Sequence, residues 1–215
     1  MTSLSATIWS LPAIVHVLRD ATREAHERLD SQSPMAASHI DLATYHDILT
    51  RYLEAHAAVE SALEPWASEL SRMGVALDVR RKVPLLVRDL TVTASRLARV
   101  PDTGAPLTFV LPTLAAAFGA LYVVEGSTLG GQHILKGLTN TDLVRANCLG
   151  ADAGLAYFNG YGAETAVMWR NFLTALGNAD AADPGGRDAV IQGAQSTFSL
   201  FEHVLSQKHS SIPSA

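Results

Sequence analysis

The sequence predicts an all-α fold, a single-domain helical bundle, and three observations carry that expectation. Apolar residues recur at three- and four-residue intervals along most of the chain, and no stretch alternates for long in the manner of a strand. Helix punctuation, at Ser10 with Pro12, at Asp41, at Pro65 and at Pro84, divides these apolar runs. The 215 residues are 48% hydrophobic, enough for one sizeable core and short for two domains.

The first helix follows Ser10 and Pro12 and runs through AIVHVLRDATREAHERLD to about Ser31, with Ile14, Val17, Leu18, Ala21, Ala25 and Leu29 on its apolar face. A second starts at Asp41 as LATYHDILTRYLEAHAAVESALEPW and is interrupted near Pro65. A third occupies roughly Pro84 to Ala98. A fourth opens around Leu111 and contains the glycine-rich stretch YVVEGSTLGGQHILKG, residues 122–137. Two more helices are expected at 162–177 and 186–207, with GNADAADPGG between them as a loop. Residues 1–10 and 208–215 read as flexible tails around a domain spanning 11–207.

The net charge of −5 weighs against nucleic-acid binding, which calls for a basic surface. Basic residues nevertheless gather at Arg72, Arg80, Arg81, Lys82, Arg88, Arg96 and Arg99. They form either a solvated helix face or a docking patch for an acidic partner protein. One cysteine, Cys148, excludes an intramolecular disulfide and fits a reducing cytosol. The N-terminal segment lacks the basic start and cleavage site of a signal peptide, so a cytoplasmic location is expected. Thr103 to Val124 is uncharged, but it contains Pro106, Pro112 and Gly119 and is flanked by Asp102 and Glu125. It reads as a buried helix and not as a membrane span.

The glycines pose the sharper problem, because each costs roughly 1 kcal/mol relative to alanine inside a helix. Gly126 and Gly130 share one helical face, and Gly119 and Ala115 extend the stripe backwards. A face bare of side chains serves either close packing against another helix or close approach of a flat ligand. The Gly130–Gly131 pair also permits a kink. On the first helix, Arg19, His26 and Asp30 stand seven and four residues apart, on nearly one face. His26 is one of eight histidines, and it suits either a surface or core position or ligation of heme iron, with Asp30 orienting the ring. Arg19 could pair with a ligand carboxylate.

LRDATREAHERLD (18–30) together with LYVVEGSTLGGQHILKG (121–137) resembles the heme oxygenase family, in its bacterial form often encoded beside phytochromes. VMWRNFLTAL (167–176) and FSLFEHVL (198–205) agree with that family's C-terminal helices, so the similarity runs from about Leu11 to Leu205. The resemblance implies a bundle with heme sandwiched between a proximal and a kinked distal helix. It implies His26 as proximal iron ligand, Gly126, Gly130 and Gly131 against the distal heme face, and Arg19 and Arg170 at the propionates. Tyr122 and Lys136 are implied as further propionate or rim contacts, and Phe198 and Phe201 as an aromatic wall, a place that core packing would explain equally well.

The implied reaction opens heme to biliverdin, carbon monoxide and ferrous iron. It uses O2 and external electrons from a ferredoxin, a flavoprotein reductase or ascorbate, with the glycine-rich helix steering oxygen to a meso carbon. A bacteriophytochrome is an implied recipient of biliverdin. One departure stands out: many members carry aspartate after the first distal glycine, and this chain has Ser127. A hydroxyl donates and accepts but holds no charge, so Ser127 and backbone carbonyls are expected to hold the water that delivers protons. Glu125 lies about 100° round the helix from Gly126 and is not a substitute. Four rival readings are a heme carrier without turnover, a thiamin-degrading relative, a di-iron bundle and a purely structural helical adaptor. The second would need an activated cysteine, for which Cys148 in VRANCLGAD is poorly set. The third would need two Glu-x-x-His motifs, which the sequence lacks.

Overall fold

The structure, a computed structural model, describes residues 10–32, 35, 40–98 and 107–207. The expected tails, apart from Ser10, lie outside the described residues, as do Arg99 and the start of the uncharged segment at 103–106. The helices in chain order are α1 (Ala13–Gln32), α2 (Leu42–Leu63), α3 (Ala67–Arg72), α4 (Val83–Leu97), α5 (Leu114–Leu138), α6 (Asp142–Asn147), α7 (Ala156–Asn159), α8 (Thr165–Ala182) and α9 (Arg187–Ser206).

Local chemistry sets the boundaries. The Asp41 carboxylate accepts from the Thr44 amide at 2.7 Å and caps α2, and these bonds hold its pKa below the usual value. Pro65 turns the chain through a 3-10 turn, Glu64–Trp66, into the short α3. Pro84 sits in the first turn of α4, and Ala98 closes that helix in the left-handed region at φ 52°. Thr113 caps α5 through a 3.1 Å bond from the Ala116 amide.

α5 and α9 form the centre, and α9 also packs on α1 and α2. One apolar core joins α1, the end of α2, the first half of α5, α8 and α9 around Phe118, Phe172, Leu176 and Phe198. A second joins the start of α2, α4, the end of α5 and α7 around Tyr45, Leu90 and Phe158. α5 is long and apolar enough to cross a bilayer, and burial in these cores accounts for its apolarity.

One boundary and two short helices differ from expectation. α8 continues through GNADAA to Ala182, leaving only Asp183–Gly186 as the turn. Gly177 is there for contact and not for a break, since a Cβ on it would lie 2.8 Å from Pro12 Cγ. The short α6 and α7 have no counterpart in the sequence reading, because four to six residues carry too little periodicity to register.

α5 runs unbroken through five glycines. Their summed propensity cost is roughly 5 kcal/mol. Burial of Phe118, Leu121, Val123, Val124 and Leu138 outweighs it, at about 1.5–3 kcal/mol per side chain. Gly119 belongs to that packing. A Cβ there would stand 2.0 Å from the Val190 carbonyl oxygen, and one on Gly193 would stand 2.2 Å from that of Ala116. Gly137 has nothing within 4 Å of such a Cβ. Gly119→Ala should therefore destabilise the protein by about 3 kcal/mol or more, while Gly137→Ala should stabilise it by about 0.4–1 kcal/mol. Urea denaturation of the two variants reads this difference, and equal midpoints would contradict it.

Candidate functional site

α1 crosses α9 and is tied to it on both sides of His26. Gln195 Nε2 donates to the Ala21 carbonyl at 3.0 Å, and Arg28 Nε to Glu202 at 3.1 Å. Between these ties the His26 side chain is 63% exposed, with Nδ1 3.0 Å from Asp30 Oδ2. In the neutral tautomer that donates to Asp30, Nε2 keeps a free lone pair. Phe198 meets the His26 ring edge-on, with centroids 5.9 Å apart and planes at 64°.

An open cleft of about 330 Å³ is lined by Arg19, Thr22, Arg23, His26, Glu27 and Tyr122. That volume lies within the range of small-molecule sites. Burial raises the Tyr122 pKa, and the positive charge of Arg19 partly offsets the rise. Tyr122 also packs on Trp169 of α8 at 5.7 Å. The structure thus brings Arg19, His26 and Tyr122 together in one cleft.

The distal glycines divide by role. A Cβ on Gly130 would meet nothing within 4 Å, and one on Gly126 would reach only the Trp169 ring at 3.6 Å. These two present bare backbone. Gly131 is buried instead against the Phe158 carbonyl at 3.3 Å, so it serves packing. Ser127 is exposed, and its hydroxyl donates to the Val124 carbonyl at 2.8 Å, leaving its lone pairs to accept from water.

The remaining candidates scatter. Lys136 is exposed in the last turn of α5, about 21 Å along the axis from Tyr122 at 1.5 Å per residue, and does not line the cleft. Arg170 is exposed on α8 beside Trp169 and does not line the cleft. Phe198 and Phe201 are both 5% exposed and belong to the core, Phe198 with a face to His26.

The basic cluster is corrected most. Arg80 and Lys82 are buried, and both bind Glu125 on α5, Lys82 Nζ at 3.2 Å from Oε1. The Tyr161 hydroxyl donates to the same Oε1 at 2.6 Å. Arg81 pairs with Glu64, and Arg88 Nη2 lies 3.3 Å from Asp152 Oδ1. Arg80 and Lys82 are therefore no part of a docking surface. Burying a charge is tolerated when it is paired, and Glu125 supplies the pairing. Sequence reasoning missed this cluster because its members are 43 and 45 residues apart in the chain.

A second buried group lies behind the site. His56 is fully buried, with Nε2 2.9 Å from the Tyr157 hydroxyl and its ring against Phe201 at 5.0 Å. Burial, reinforced by Lys82, pushes its pKa down to about 3.

The bundle and its cleft define an all-α protein of the heme oxygenase type. The fold matches the heme oxygenase of Neisseria meningitidis, solved with NO and CO bound, at TM-score 0.70 and 22% identity over 91% of each chain. It also matches the Leptospira interrogans heme oxygenase at TM-score 0.69 and 18% identity, over 90% of this chain and 98% of that one. A curated heme oxygenase of Xanthomonas campestris pv. campestris (strain 8004) is 32% identical over 172 residues, 80% of this chain and 94% of that protein. The heme oxygenase family model matches residues 13–207. The chain belongs to the heme oxygenase family and is a heme-degrading enzyme.

The buried imidazole gives stability a pH dependence of known sign. Below the unfolded histidine value of about 6.5 the unfolded chain takes up a proton that folded His56 refuses. Stability is therefore lost as pH falls from about 6.5 towards 3, at up to the order of 1 kcal/mol per pH unit. His56→Leu should flatten the stability slope between pH 6.5 and 4.5 by close to one proton. Denaturant midpoints across that range measure it, and an unchanged slope would contradict the assignment.

Proposed function

We propose that this chain cleaves heme oxidatively to biliverdin, carbon monoxide and ferrous iron, with His26 as the axial iron ligand. Electrons come from a ferredoxin, a flavoprotein reductase or, in vitro, ascorbate. One observation carries the assignment: an exposed imidazole, its Nδ1 held by Asp30, lines a cleft that also holds Arg19 and Tyr122. The residues fit a porphyrin. A histidine with one nitrogen free, a guanidinium for a propionate and two side-chain-free positions on α5 are what a flat, anionic, iron-bearing ligand needs.

Bound heme supplies the oxygen-activating iron and is itself the molecule consumed. The chain's residues supply placement. Asp30 fixes the His26 tautomer and ring plane, so that Nε2 points to the iron. Arg19, beside Tyr122 in the cleft, anchors a propionate and sets the rotation of the ring in its plane. Gly126 and Gly130 let backbone approach the opposite face and put no imidazole or guanidinium there, which favours attack on a meso carbon over peroxidase-like O–O cleavage. Ser127 accepts from a water that delivers protons, since its own proton is engaged by Val124. Biliverdin release to a bacteriophytochrome and a cytoplasmic location complete the proposal.

A heme carrier that does not turn its ligand over is the rival reading, since Ser127 puts no acidic group at that position. Hemin, ascorbate or a ferredoxin system, and oxygen separate the two. The enzyme reading expects loss of the Soret band and a green product, and the carrier reading expects an intact spectrum. His26→Ala should slow product formation at least tenfold, with recovery on adding imidazole. Product formation at the wild-type rate in that variant would remove His26 as the ligand.

A further inference from the structure

The back of α5 carries a buried ion cluster that the cleft chemistry does not use. Glu125 is fully buried one residue before Gly126. Its Oε1 takes hydrogen bonds from the Tyr161 hydroxyl at 2.6 Å and Lys82 Nζ at 3.2 Å, and its Oε2 takes one from Arg80 Nη1. Arg80 Nη2 reaches on to the Met168 carbonyl of α8 at 3.4 Å, and Lys82 Nζ to the Arg80 carbonyl at 2.7 Å. The donors come from separate segments, the turn before α4 and the turn after α7, and Arg80 ties them to α8.

Such a cluster holds direction as well as place. Apolar burial is non-directional, whereas a carboxylate gripped through both oxygens from different sides fixes an orientation. Buried ion clusters contribute little net stability, and their best-attested use is to fix one arrangement among several. α5 needs that help, because Gly126 and Gly130 offer no side chains with which to key its rotation. At 3.6 residues per turn Gly126 and Gly130 stand about 100° and 140° round the helix from Glu125. A handle on one side therefore aims the bare backbone on the other.

We propose that Glu125, gripped by Arg80, Lys82 and Tyr161, is a positioning residue that sets the rotation of α5 and hence where the Gly126–Gly130 backbone stands over the cleft. The proposal rests on the reading of that cleft as the heme site, and it makes product regiochemistry depend on a carboxylate that never touches the ligand.

Three variants test it. Glu125→Gln removes the charge, and Tyr161→Phe removes one bond and no charge. The triple variant Arg80→Met, Lys82→Met, Glu125→Leu removes every ion together, a replacement that buried ion clusters tolerate without unfolding. Amide hydrogen exchange of the heme-free proteins should quicken at least threefold over residues 122–132 and stay unchanged over 45–59 of α2. In the hemin-loaded proteins the ratio of biliverdin isomers should shift at least twofold, with hemin Kd held within threefold. Exchange that quickens less than threefold over 122–132, or an isomer ratio that moves less than twofold, overturns the proposal, since a merely structural cluster would leave the product mixture alone. A wild-type protein that leaves hemin intact removes the heme reading, and the heme-free exchange measurement then decides the clamp by itself.

Discussion

The contact of α5 with α9 at Gly119 and Gly193 is the constraint on which the cleft depends. Each glycine lies against the other helix's backbone, so neither position admits even a methyl group without displacement. α9 in turn carries α1 through Gln195 and Glu202. The distance from the His26 helix to the glycine helix is thereby inherited from a backbone-to-backbone approach, the stiffest spacer that packing offers. Side chains of ordinary size at 119 or 193 would push α5 outward and open the cleft.

α5 meets two opposed demands along its length. Its first half is an apolar core helix, and around Gly126 it presents peptide backbone with no side chains. A helix bare on one face is weakly keyed to its surroundings, and the structure compensates from behind. Glu125 draws two cations and a tyrosine into the interior, Gln132 Nε2 donates to the Asn159 carbonyl at 2.5 Å, and Gly131 sits on Phe158. The electrostatic cost of burying charge is offset by pairing one carboxylate with both cations, around a helix that must stay in place. The opposite wall uses cheaper means. The His26–Asp30 pair is exposed, and its value lies in orienting a ring and not in stability.

Much of this was legible in the sequence. The helical class and the Arg19–His26–Asp30 alignment followed from periodicity, because α1 is a regular helix whose spacing maps directly onto a face. The glycines were legible as unusual, but spacing could not sort them. Gly119 and Gly131 serve packing while Gly126 and Gly130 stay open, and only the neighbours decide which is which. The GNADAA segment looked like a loop because glycine and asparagine are poor helix formers. Contact of Gly177 with Pro12 overrides that preference. Arg80 and Lys82 read as surface charge because basic residues usually are. Their burial depends on Glu125, more than forty positions away, and no local pattern announces a long-range ion pair.

The central claim is that a porphyrin enters between α1 and the glycine face of α5. The most direct measurement is titration of the 15N-labelled protein with ferric hemin, following backbone amide signals. Paramagnetic iron in this cleft should broaden the amides of His26, Gly126, Ser127 and Gly130 first, and should spare Leu90 in α4. Broadening centred on another face, or spread evenly over the bundle, would contradict the account.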